Sequence, residues 1–230
     1  MGSRFLLSFL VCCCVSAAEQ PGKTAAHTVQ ATGEATVSAQ PDRAEISVAV
    51  STTAPTAEAA ASQNATQTSQ VLDALKRTLE AGGSLKTTGY SINPEYAYEQ
   101  GRSPRLTGYH ANNSVLVTVD NLALVGKVID TATRSGANSI AGISFTLRDD
   151  RAVRSRALAE AAANAHENAE TIAKALNVRV TGVLEAQTAN VPIVRPLPMM
   201  QMKMAAQVAT PVETGTLDIH ASVVVTLEVQ

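Results

Sequence analysis

The chain has 230 residues, 45% of them hydrophobic and 17% charged, with a formal net charge of −2, which suits one sizeable globular domain or two small ones. Such a balance excludes the basic face that nucleic-acid binding needs and the polybasic segment that holds a protein on an anionic membrane. Aromatic residues make up only 3%, with no Trp, so the core has to be built from Ala, Val, Ile and Leu.

Arg4, the apolar run over residues 5–15 and the small residues Ser16-Ala17-Ala18 predict an export signal peptide over residues 1–18. The run is too short to cross a bilayer as a stable helix. Cys12, Cys13 and Cys14 leave a lipoprotein alternative open, although Val11 stands where a small residue is expected before the lipidated cysteine. All three cysteines lie in this leader, so the mature chain makes no disulfide and carries no thiol nucleophile, thiol redox centre or Cys-based zinc site. Residues 19–30, with Pro21 and Gly22, read as a flexible lead-in.

Residues 36–39 and 46–50 alternate at period two around Gln40-Pro41-Asp42, which predicts a hairpin. Pro55 opens a helix to about residue 80 with an apolar stripe of Ala61, Ala65, Thr68, Leu72, Leu75 and Leu79, and Gly82-Gly83 stops it. Strands follow at 88–98 and 106–119. Asp120 or Asn121 caps a short helix to about residue 134, and another strand runs over 140–147. Asp149-Asp150 caps an Ala-rich helix to about residue 176, placing negative charge where the helix dipole favours it. Its stripe reads Leu158, Ala162, Ala165, Ala169, Ile172 and Leu176. Strands at 179–187 and 216–229 close the chain, separated by a Pro/Met-rich loop over 190–211.

The two long helices repeat one step pattern, and their flanks match as well. Ala44-Glu45-Ile46-Ser47 parallels Ala141-Gly142-Ile143-Ser144, and the strand holding His110-Ala111 parallels the one holding His220-Ala221. This predicts an α+β fold of duplicated strand–helix–strand–strand units, with mostly antiparallel sheets packed against two long helices and halves at about 31–120 and 121–230. Ala-rich stripes allow close helix approach but bury little area, at about 0.8 kcal/mol per CH₂. Such a subunit gains from burying further apolar surface on neighbours, so a homo-oligomer is expected.

No constellation with catalytic spacing is present. His27, His110, His166 and His220 form no His-x-His or His-x₃-His pair, and the chain lacks both a Gly-x-Ser-x-Gly elbow and a phosphate-cradling Gly loop. Asp149 and Asp150, bracketed by Arg148 and Arg151, are explained as a helix cap. No catalytic, cofactor-binding or metal-ligating residue is therefore assigned. Tyr90, Tyr96 and Tyr98 share a parity, with Tyr109 across the hairpin; they suit either a sugar or peptide platform or, preferably, packing in the core or at a subunit interface. Met199, Met200, Met202 and Met204 give an alternative function, soft-metal Cu(I) binding or oxidant handling through residues 199–204.

The mature chain resembles the SIMPL-domain family of bacterial periplasmic or outer-membrane-associated proteins. The resemblance rests on Thr32-Gly33-Glu34-Ala35-Thr36-Val37 leading to Pro41-Asp42, on Thr88-Gly89-Tyr90-Ser91-Ile92-Asn93-Pro94, and on Gly108-Tyr109-His110-Ala111-Asn112-Asn113. It extends through Gly136-Ala137-Asn138-Ser139-Ile140-Ala141-Gly142-Ile143-Ser144-Phe145, the Ala-rich helix, the Pro/Met loop and the closing strand. Ala35 departs from the second Gly often found there. The resemblance implies an α+β fold, a periplasmic or envelope location, ring- or channel-like assembly in some members, and a loose link to oxidative or envelope stress. It implies no enzyme activity, and it leaves peripheral membrane association and envelope protein partners open.

Overall fold

The computed structural model describes residues 27–189 and 212–230; the expected leader and the Pro/Met loop lie outside them. In chain order the elements are β1 (Thr28–Ala39), β2 (Arg43–Ala54), α1 (Ala57–Leu79), β3 (Gly83–Ala97), β4 (Arg105–Val119), a 3-10 turn (Leu122–Leu124), α2 (Val125–Arg134), β5 (Ser139–Thr146), α3 (Arg151–Ala175), β6 (Val180–Ala189) and β7 (Leu217–Val229). They form two antiparallel sheets, β3-β4-β2-β5 and β1-β7-β6, so the expected α+β class holds. Regular pairing begins at Thr28, where a flexible lead-in was expected to continue to residue 30.

The first layer follows from alternation. Ile46, Val48 and Val50 of β2 and Val115, Val117 and Val119 of β4 turn one face inward, where Val71, Leu75 and Leu79 of α1 meet them. Thr56 opens α1 by accepting a hydrogen bond from the Ala59 backbone N–H, a side-chain N-cap. Glu80 ends it with a positive φ of 49°, ahead of the glycines expected to do so. The buried face is Ala60, Asn64, Thr68, Val71, Leu75 and Leu79, so Thr68, Leu75 and Leu79 lie where expected while Ala61, Ala65 and Leu72 are each displaced by one residue. Asn64 causes the offset: its side-chain amide donates to the carbonyls of Val50 (2.8 Å) and Ala111 (3.1 Å) on the two central strands. α2 lies against α1 and closes the same core with Val125, Val128 and Ala132.

The second layer is assembled on different terms. α3 buries Ala157, Ala161, Ala165, Ala169 and Ala173, a four-residue step in place of the expected three–four alternation. Leu158, Ile172 and Leu176, expected inside, are exposed. The reason is proximity. A Cβ on Gly33 would lie 2.1 Å from the Ala165 nitrogen and 2.3 Å from the Ala161 oxygen, so the helix backbone sits directly on β1 and only alanines fit the seam. Asn164 and Asn168 fasten the contact, donating to the carbonyls of Glu34 (2.8 Å) and Thr32 (2.9 Å).

β1 and β2 do not form the expected hairpin. β1 pairs along its length with β7, while β2 lies between β4 and β5. Gln40–Asp42 is a crossover between layers, held by the second crossover: the Asp42 N–H donates to the Thr146 carbonyl (3.2 Å) and the Asp42 carboxylate accepts from the Arg148 N–H (2.6 Å). Asp120 adds ion pairs to Arg43 (2.8 Å) and Arg148 (3.4 Å) at the same junction. The two sheets share a three-strand arrangement in which the opening strands are exchanged. In β3-β4-β2 and β6-β7-β1 the central strands correspond, with His110 opposite Thr53 and His220 opposite Thr36. The similar segments around Ile46 and Ile143 instead pair with one another inside the first sheet.

Candidate functional site

The four histidines stay apart. His110 Nδ1 is 3.3 Å from the Thr53 hydroxyl and 3.7 Å from a Glu95 carboxylate oxygen, while His220 Nδ1 lies 2.7 Å from the Thr36 hydroxyl on the other sheet. His166 faces Glu170 along α3 at 3.8 Å, and the His27 carbonyl accepts from the Val229 N–H. Among the described residues no three side chains of His, Cys, Asp or Glu gather as a ligand set.

Asp149 and Asp150 are engaged by arginines. Asp149 accepts from the Arg151 backbone N–H (3.0 Å) and from its guanidinium, and Asp150 pairs with Arg154 at 2.5 Å. The capping bond at the start of α3 thus comes from Asp149, one residue before the N-cap position. The Arg151 guanidinium, with help from its backbone N–H, lowers the Asp149 carboxyl below its ordinary range. An acid held ionised in this way cannot donate a proton near neutral pH.

Two shallow hollows, of about 350 and 360 Å³, mark the surface. One is walled by Ser62, Gln63, Thr66, Gln67 and Gln70 of α1, the other by Asn177, Val178, Arg179 and Gln230. Neither brings an acid and a base together.

What the surface does present is apolar. Tyr90, Ile92, Pro94 and Tyr96 alternate onto one side of β3, with Tyr109 opposite Pro94. Ile92 and Tyr109 are half-buried on a small cluster of Ala54, Ala60 and Ala111 beside the start of α1. Tyr90, Tyr96 and Leu106 are about half exposed, and Tyr98 is 78% exposed. These tyrosines therefore do not serve the core of their own chain. On the other layer Val183 and Leu184 of β6, and Leu158, Ile172 and Leu176 at α3, are also open to solvent. Val183 stands opposite the buried Leu227 and is still 57% exposed, because α3 packs on β1 and β7 and leaves β6 largely uncovered. Sequence reading reached the tyrosines but missed the β6 side chains, since short apolar runs look alike whether covered or not. The methionines at 199–204 lie outside the described residues.

Comparison with known proteins places this architecture. The model of the SIMPL family, described as a protein of unknown function (DUF541), matches residues 29–227. The 26 kDa periplasmic immunogenic protein of Brucella melitensis is 30% identical over 88% of this chain and 84% of its own, and that of Brucella abortus is equally similar. The uncharacterized protein YggE of Escherichia coli is 28% identical over 75% of this chain and 70% of its own. With the match running from the second residue of β1 to within two residues of the end of β7, the chain belongs to the SIMPL family.

Proposed function

We propose that this protein works in the periplasm without a catalytic activity of its own. It assembles with copies of itself and supports tolerance of envelope and oxidative stress by scaffolding or binding. The observation behind this reading is the exposure of two groups of large side chains, the tyrosines of the β3–β4 hairpin and Val183 and Leu184 of β6. Large apolar side chains left exposed close together are a feature of interaction sites. The periplasmic location draws on the names of the Brucella relatives and on the leader read from the sequence. No helix among the described residues is long and apolar enough to cross a membrane.

Light scattering on the purified mature chain after size exclusion tests assembly directly. A mass of several copies is expected, and replacing Tyr96 and Tyr98 by Ser should reduce it or weaken its persistence on dilution. A single-copy mass at every concentration would overturn the reading.

A further inference from the structure

Four strands form the edges of the two sheets, and they are not equally protected. Exposed edges invite pairing with another chain unless they are blocked. The β1 edge is occupied by Asn164 and Asn168, which donate to the carbonyls of Glu34 and Thr32. β3 carries Lys86 and Pro94, two residues that discourage strand addition. β5 has only eight residues and is interrupted at Gly142, whose φ is 157°. β6 has neither Pro nor Lys. Its pairing with β7 shifts register around Thr181 and Leu184, and the Thr181 hydroxyl donates to the Glu228 carbonyl (3.2 Å) across the first of these shifts.

We propose that a second copy of this chain adds antiparallel to the edge of β6 that no strand among the described residues pairs with, across a two-fold axis at Gly182. This rests on the self-assembly reading above and names the surface that carries it. In that register residues equidistant from Gly182 face each other: Thr181 meets Val183, Val180 meets Leu184, and Arg179 of each copy meets Glu185 of the other. The arrangement is complementary in charge at both ends and apolar between, where the exposed Val183 and Leu184 find cover. Arg179 already continues the β6 ladder, exchanging backbone hydrogen bonds with Gln230 at 2.7 and 2.8 Å. Gly182 fits the axis. Among the described residues nothing lies within 4 Å of a Cβ placed on it, and its φ falls outside the positive range. Its own chain thus gives no steric reason for a glycine, whereas a closely approaching second backbone does.

The test is a charge exchange in the full mature chain, followed by sedimentation over a dilution series. Arg179→Glu and Glu185→Arg each set like charges against each other and should each raise the apparent dissociation constant at least about tenfold. Combining them restores the pairing and should return the constant close to that of the parent. An assembled protein indifferent to both single changes, or a double variant no tighter than the singles, would overturn the β6 pairing and leave self-assembly standing. A parent chain that is monomeric throughout would remove both. Circular dichroism on each variant separates loss of association from loss of fold.

Discussion

The two layers share a plan and differ in how they are filled. Under α1 the space is taken up by volume: Val71, Leu75 and Leu79 reach down to the valines of β2 and β4, and the helix spreads over three strands. Under α3 the space is removed altogether, with a column of alanines resting on Gly33 and the helix confined chiefly to β1 and β7. The lesson is that one helix-over-sheet template tolerates opposite packing solutions, and that the choice decides which strand is left bare. Close approach at β1 is what leaves Val183 in solvent.

This contrast implies opposite sensitivities, which chemical denaturation can read. The first layer should suffer most from deletion. Leu75 is completely buried, so Leu75→Ala should cost about 4 kcal/mol through lost transfer energy and the cavity left behind. A loss under about 1 kcal/mol would mean that α1 collapses onto the sheet and that its filling is not by volume. The second layer should suffer from addition. Gly33→Ala drives a methyl into the Ala161 and Ala165 backbone, which cannot rotate away as a side chain would, and should cost about 3 kcal/mol, the upper end for overpacking. An unchanged midpoint would show that α3 can lift off β1 freely.

The smallest expected effect is on pH dependence at the start of α3. Because the Asp149 carboxyl is lowered from 3.8 in the folded protein, its contribution is complete above the ordinary carboxylate range and is lost as pH falls through the lower, folded value. Asp149→Asn should lower stability slightly at neutral pH, where the contribution is present, and leave it unchanged in strong acid, so that the acid limb of the profile is flatter. A loss in strong acid as large as that at neutral pH would reverse the assignment.

Much of this fold was legible in the sequence. Every strand and helix was anticipated in order, because alternation and helical spacing are local signals. Partners were not. Gln40-Pro41-Asp42 has the residues of a turn, yet Asp42 is bound to Thr146 and Arg148, more than a hundred positions away. The inner face of α3 was misread because large apolar residues were assumed to point inward, whereas a glycine on the facing strand reversed that preference. Asn64 was passed over for a related reason, since a buried amide serving two strand carbonyls looks polar in sequence. For the candidate site, the tyrosines were visible by parity, but their exposure depends on where α1 begins relative to the β3–β4 hairpin.

The pairing of β1 with β7 sets a timetable for folding. Val29 finds Leu227, and Val37 finds Ile219, so the first strand made waits for the last before the second layer can close. Contacts between such distant positions form slowly, because a long loop must be ordered before any reward arrives. A chain emerging N-terminus first therefore carries an unmatched β1 until β7 has been made. That delay leaves the growing polypeptide with an unpaired strand in need of protection from its neighbours while it waits.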